Sequence, residues 1–202
     1  MEGFLKNKHH NIYLNKEYNY KKYICKDCTK KKKEYEYSNS EEYPKDMKNI
    51  GYIEISLGRF PIYITTPIMI SPFGFNKVNN TISLQFTNLK TDSEMKSFYD
   101  LIQELEMNQM SYIGLDESDA DLYLSQVRQD KNMKYDPNLI VKVPFIKNSY
   151  KVDIRSKDSS YFPSVTGIYN FSKLKCDIYI DKIWKYNGKY ICKWKVSKIL
   201  LL

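Results

Sequence analysis

Apolar and polar residues alternate with a period of two in stretch after stretch of this chain, and that alternation limits what it can fold into. Ile53, Ile55 and Leu57 alternate with polar neighbours, and so do Ile82, Leu84 and Phe86 in Thr81–Thr87. Leu139, Val141 and Val143 follow the same rule, then Tyr150, Val152 and Ile154, then Tyr190, Cys192, Trp194 and Val196. Such a row puts one set of side chains into a core and the other into solvent, which is the signature of half-buried β-strands. Between Asp177–Trp184 and Tyr190–Ile199 lies Tyr186-Asn187-Gly188-Lys189, whose central Asn-Gly predicts a tight hairpin turn. Pro61–Ile70 is β-branched but broken by prolines, which suits an edge or bent strand. Ser71-Pro72-Phe73-Gly74-Phe75 is a turn flanked by aromatics.

One segment breaks the pattern. Met95, Phe98, Tyr99, Ile102 and Leu105 recur at helical spacing behind Thr91 and Glu94, which fit a capping box, with Asp92 and Glu94 at the positive end of the helix dipole. A second helix is predicted over Asp119–Val127, with Ala120, Tyr123, Leu124 and Val127 on one face, and both helices read as acidic outside. The order strands, helical insert, strands predicts a mainly β or α+β domain, a small antiparallel barrel or sandwich carrying one or two helices. The 202 residues suffice for one good-sized domain. Residues 1–48 show little periodicity and include Lys30–Lys33, so they read as a basic amino-terminal arm or small subdomain ahead of a domain over 49–202.

Charge is distributed unevenly. Residues 1–48 hold 12 basic and 8 acidic side chains, 49–141 hold 7 and 12, and 142–202 hold 13 and 4. Lys, Asn, Ile and Tyr are residues that AT-rich coding favours, so placement rather than number must decide what the excess means. In Tyr150–Lys157 the face opposite the apolar row is Lys151, Asp153, Arg155 and Lys157; in Tyr190–Ser197 it is Ile191, Lys193, Lys195 and Ser197. The hairpin tip adds Lys185, Tyr186 and Lys189. Cations on a sheet face with aromatics at its edges suit a single-stranded polyanion, since charge tracks phosphates and rings stack on bases. The candidate interface is therefore Lys142, Lys151, Arg155, Lys157, Lys185, Lys189, Lys193 and Lys195, with Phe73, Phe75, Trp184 and Tyr186 as stacking groups, a core plug at a barrel corner being the equal alternative for Phe73 and Phe75. Readers of duplex DNA usually present a basic helix, and the predicted helices are acidic.

Other chemistry finds less support. Cys25-Lys26-Asp27-Cys28 with His9 and His10 would supply four zinc ligands, but no second C-x-x-C is present, and the expectation is no metal. Cys176 and Cys192 sit in strands as core thiols. The two His both lie in the arm, so a nucleophilic triad within the domain is not expected. No phosphate-binding glycine loop occurs, and no nucleotide or other cofactor is expected. Asp116, Glu117, Asp119 and Asp121 form an acidic cluster that would serve a metal-dependent nuclease, the enzymatic alternative; a helix start accounts for the same acids. No apolar run reaches about 18 residues, and the first residues lack the apolar centre of a signal peptide. With four Cys, the expected setting is a reducing, cytoplasmic one without a membrane partner.

Ser71-Pro72-Phe73-Gly74-Phe75, the strand TISLQF, the helix through Glu104-Leu105-Glu106, then Tyr135–Pro144 and Ile183–Tyr190, resemble in kind and order the single-stranded DNA-binding proteins of large eukaryotic DNA viruses. The resemblance spans about residues 65–198. It implies an OB-type barrel with additions and a non-catalytic role protecting single strands in viral DNA replication, with replication proteins as further partners; whether DNA or RNA is preferred is not legible. Related phage-type binders end in an acidic tail that recruits partners, whereas this chain ends Lys198-Ile199-Leu200-Leu201-Leu202. A structural or interaction protein with a Lys-rich surface is the remaining alternative. Oligomeric state is not legible.

Overall fold

The computed structural model describes residues 18–24, 51–57, 59–158 and 163–202. In chain order the strands are β1 (Asn19–Ile24), β2 (Gly51–Ser56), β3 (Ile62–Thr65), β4 (Met69–Ser71), β5 (Phe75–Asn76) and β6 (Thr81–Gln85). Helix α1 (Ser93–Ile113) and a 3-10 turn (Glu117–Leu122) follow. Then come β7 (Val127–Arg128), β8 (Asn138–Lys142), β9 (Phe145–Ile146), β10 (Ser149–Tyr150), β11 (Asp153–Ser156), a short 3-10 turn (Val165–Gly167), β12 (Ser172–Ile180), β13 (Lys182–Tyr186), β14 (Lys189–Cys192) and β15 (Trp194–Leu201).

Five strands close a barrel in the circular order β4, β6, β8, β15, β12 and back to β4. Four of the five pairings are antiparallel. The seam β8–β15 is parallel and short, with Trp194 opposite Val141 and Lys195 opposite Lys142. This is the OB-like layout that the sequence predicts, with one parallel pairing at that seam. The inward rows are those the alternation marks: Ile82, Leu84 and Phe86, Leu139, Val141 and Val143, and Trp194 and Val196 are all buried. Each such side chain contributes about 1.5–3 kcal/mol on burial, so a one-residue slip that turned a row outward is strongly disfavoured. The Pro61–Ile70 stretch is bent as expected: β3 and β4 both pair with β12, on either side of Pro67.

Asp92, not Thr91, caps α1, its carboxylate accepting from the Met95 N–H at 3.0 Å. Asp shares the capping role with Thr, and Thr91 instead donates to Asn88 O within the preceding turn. The helix runs on past Glu106 to Gly114, which ends it in the left-handed region. Its buried face adds Leu101, Glu106 and Gln109 to the apolar stripe, so one acid expected outside lies inside. The second predicted helix is corrected to the 3-10 turn Glu117–Leu122. Asp116 Oδ1 accepts from the N–H groups of Ser118 and Asp119 at 2.8 and 3.3 Å, and Val127 belongs to a strand on β8.

A second sheet, in the order β1-β2-β13-β14, lies outside the barrel. Its β1 comes from within residues 1–48, pairing antiparallel with β2. Tyr20 on β1 stacks on Tyr112 of α1, with centroids 3.9 Å apart, so this sheet leans on the helix. The 13–14 hairpin turns at Asn187 and Gly188, both at positive φ (48° and 74°), as the Asn-Gly pair predicts. The strand expected over Tyr190–Ile199 is interrupted at Lys193, where the chain leaves the outer sheet and enters the barrel as β15. His9, His10, Cys25 and Cys28 lie outside the described residues. Among the described residues no helix is long and apolar enough to cross a membrane.

Candidate nucleic-acid interface

The hairpin β13–β14 forms one wall of an open groove of about 330 Å³ lined by Leu124, Trp184, Lys185, Tyr186, Lys189, Ile191 and Lys193. Register explains the gathering except for Lys185, which lies opposite Tyr190 with its ammonium 5.2 Å from that ring centre. Trp184 faces Ile191 across the hairpin and Tyr186 faces Lys189, so the outward positions of both strands form one surface. Trp184 and Tyr186 keep 38% and 55% of their surface exposed, unusual for large rings with no burial to gain there. Lys185, Lys189 and Lys193 have no ion-pair partner among the described residues. Tyr52 on β2 lies beside Trp184 at 5.2 Å between centroids, and the Lys182 ammonium sits 4.4 Å from the Tyr52 ring centre. Ring and cation therefore continue across the sheet.

The far wall is held from α1. Leu124 N–H donates to Tyr190 O at 2.7 Å. The segment bearing Leu124 is anchored by Tyr123 Oη donating to Gln109 at 2.7 Å, and by Ser125 Oγ and Gln126 N–H donating to the Glu106 carboxylate at 2.6 and 2.9 Å. Burial pushes the Glu106 carboxyl above its ordinary range, against the opposing effect of those two hydrogen bonds and the Arg128 charge.

Beyond Lys193 the surface continues to the barrel seam. Burial, and then the neighbouring Lys193 charge, hold the Lys142 ammonium below the usual lysine range. Lys142 Nζ donates to Asn79 O in the β5–β6 turn. Next to that turn, Tyr150 Oη donates to Asn80 at 3.1 Å, and its ring meets Phe75 edge-on and Phe145 at a tilt, with centroids 5.3 and 4.9 Å away. The structure thus joins Trp184, Lys185, Tyr186, Lys189, Lys193 and Lys142 in one path, with Phe75 half-buried at its end.

The other sequence candidates lie apart. Lys195 is paired with Asp181 at 2.7 Å, and Arg155 with Asp153 at 3.0 Å, so neither charge is uncommitted. Arg155 pairs with Leu200, five residues along β15 from Lys195, or about 17 Å by strand rise. Lys151 and Lys157 flank β11 on that same edge, exposed as the alternation requires. Phe73 is 69% exposed on the bend between β4 and β5, away from the hairpin strands. The single basic face expected from the two alternating strands is therefore divided, because β11 pairs with β15 at Lys198–Leu201 while β14 pairs with β13 in the outer sheet. Tyr52, Lys182 and Phe145 escaped the sequence reading, which gives Leu124 and Ile191 a face but no role at the site. Period two on β13, applied as on β14, marks Lys182 beside Trp184, whereas Tyr52 depends on a pairing between β2 and β13 with no local signal.

Among the described residues no group of three or more His, Cys, Asp or Glu side chains is placed to hold a metal ion. In the 116–121 cluster, Asp116 is engaged in capping, and its hydrogen bonds from Ser118 lower its pKa.

No protein-family profile matches the sequence, and no curated protein matches it significantly. Solved structures that align with the chain include gp2.5, a single-stranded DNA-binding protein encoded by bacteriophage T7, at 12% identity, covering 70% of this chain and 86% of that one with a TM-score of 0.45. The single-stranded DNA-binding protein of bacteriophage Enc34, in complex with single-stranded DNA, aligns at 10% identity over 74% of this chain and 89% of that one, with a TM-score of 0.44. Both come from phages, not from the eukaryotic viruses named above.

Proposed function

We propose that this chain binds single-stranded nucleic acid, DNA in the first instance, along the path from the β13–β14 groove to the barrel seam, and that it does so without catalysis. The observation that carries this reading is the groove itself, where two exposed rings and three lysines without acidic partners share one concave surface. Phosphates would run past Lys185, Lys189, Lys193 and Lys142 while bases stack on Trp184 and Tyr186. The arrangement offers no fixed donor–acceptor pattern to a base edge, so binding is largely indifferent to sequence. Its service is the protection of strands exposed in DNA replication of a virus or virus-like element in a host's cytoplasm, with replication proteins as neighbours; the motif resemblance supports that part.

Trp184 makes the test direct, because Trp194, the other tryptophan, is enclosed in the barrel. Titration with a thymidine oligomer should quench the emission of Trp184 but not that of the Trp184→Phe variant. With four lysines neutralising phosphates at roughly 0.7 each, log K should fall with log salt at a slope of about −3. Lys189→Ala with Lys193→Ala should bring the slope to about −1.5. An oligomer that neither quenches nor responds to salt would end the proposal.

A further inference from the structure

A second surface, well along β12 from the hairpin groove and adjoining Phe75 at the end of the path, carries the same two chemistries. At the bend between β4 and β5, Gly74 adopts φ +62°, and a Cβ there would stand 2.5 Å from Ile168 O and 2.8 Å from Tyr169 C. The bend is thus pressed directly onto the backbone of 168–170. Phe75 N–H donates to Ile168 O at 3.0 Å and Phe171 N–H to Ser71 O at 2.7 Å. The contact brings Phe73, Tyr169 and Phe171 to one place on the surface, and they remain 69%, 71% and 73% exposed. Phe171 does so at φ +64°, a left-handed conformation that strains a bulky side chain and that no packing of its ring repays.

From that point β12 extends the row. Lys173 and Lys175 face outward while Leu174 and Cys176 face the core. Neither lysine has an ion-pair partner among the described residues. Lys175 lies opposite Leu200 and, across β15, in line with Arg155. Lys173 is seven residues back along β12 from Ile180, where the chain turns toward the hairpin, a separation of about 23 Å by strand rise.

We infer that the outer face of β12, with Phe73, Tyr169, Phe171, Lys173 and Lys175, is a second binding site for single-stranded nucleic acid, so that one protein holds two separate strand segments. The occupant follows from the pairing of features: uncompensated cations beside exposed rings match phosphates beside bases, and this face lies in the strongly basic carboxyl-terminal third of the chain. This inference rests on the single-strand reading proposed above.

Native mass spectrometry with a thymidine oligomer of about six nucleotides, within the range one barrel occupies, counts strands per protein. Two should load on the wild-type chain. One should load on Phe171→Gly/Lys173→Ala/Lys175→Ala, in which glycine relieves the left-handed backbone and so favours folding, and one on Lys185→Ala/Lys189→Ala/Lys193→Ala. As a second readout, wild-type protein captured on an immobilised oligomer should retain a labelled non-complementary one, and the β12 variant should not. A wild type that loads no strand overturns both proposals. A wild type that loads one strand, with the β12 variant unchanged and Trp184 quenching intact, overturns this one alone and assigns the exposed rings to a protein partner.

Discussion

Tyr20 carries its hydroxyl into the space between the outer sheet and α1, where it has no hydrogen-bond partner among the described residues. Burial first, and then the nearby Cys192 and Tyr112, push its pKa up to about 12. A buried, unpaired hydroxyl costs about 1–3 kcal/mol against an apolar replacement. Tyr20→Phe should keep the stack on Tyr112 and leave the urea midpoint unchanged or higher; a clear loss of stability would show that the hydroxyl has a partner. Glycines give a second contrast. Gly188 needs only its positive φ, since open space surrounds the place of a Cβ, and Gly188→Ala should cost about 1 kcal/mol. Gly74 needs both its φ and its bare Cα, so Gly74→Ala should cost at least about 2 kcal/mol in the same titration. The sequence marks both positions as turns, but the second demand on Gly74 comes from residues almost a hundred positions later and leaves no local trace.

At the scale of elements, the interface depends on how α1 holds the segment 123–126. Glu106 is more easily protonated in the fold than in the unfolded chain because burial disfavours its charge. The stabilisation linked to that proton is complete below the ordinary carboxyl value of 4.5 and is lost as pH rises through the raised native value. Wild-type stability should therefore decline over that interval, and Glu106→Gln should remove the decline; parallel pH profiles in thermal melts would refute the assignment. Strands and the hairpin turn were legible because period two and Asn-Gly are local signals. Thr91 and Asp92 compete for one cap, and only the backbone decides between them. The 116–127 segment misled because acids, Ala and Leu favour a helix, while pairing with β8 and the anchors to Glu106 and Gln109 take its second half elsewhere.

Among the described residues, the lysines of the groove reach solvent on strands and a turn, while the long helix α1 buries its apolar face and carries Glu94 in its first turn and no basic residue in its last. Duplex DNA needs a basic helix or ribbon shaped to its groove, whereas the proposed interface is a concave groove lined by exposed rings and lysines. Gel shifts at two salt concentrations should place single-stranded DNA well above duplex DNA; equal retention of both would mean that charge alone drives binding. The sequence carried the sign and rough location of this charge. It did not carry the division between the hairpin and the β11 edge, because which strand adjoins which part of β15 is set by pairings between distant residues, and the two ion pairs that occupy Lys195 and Arg155 follow from those pairings.

The short parallel seam joins Lys142 to Lys195, which stand more than fifty positions apart in the chain. Contacts between such distant residues form late, after the loop between them has been closed. The cationic path across the seam therefore does not exist on a ribosome-bound fragment that stops short of Trp194.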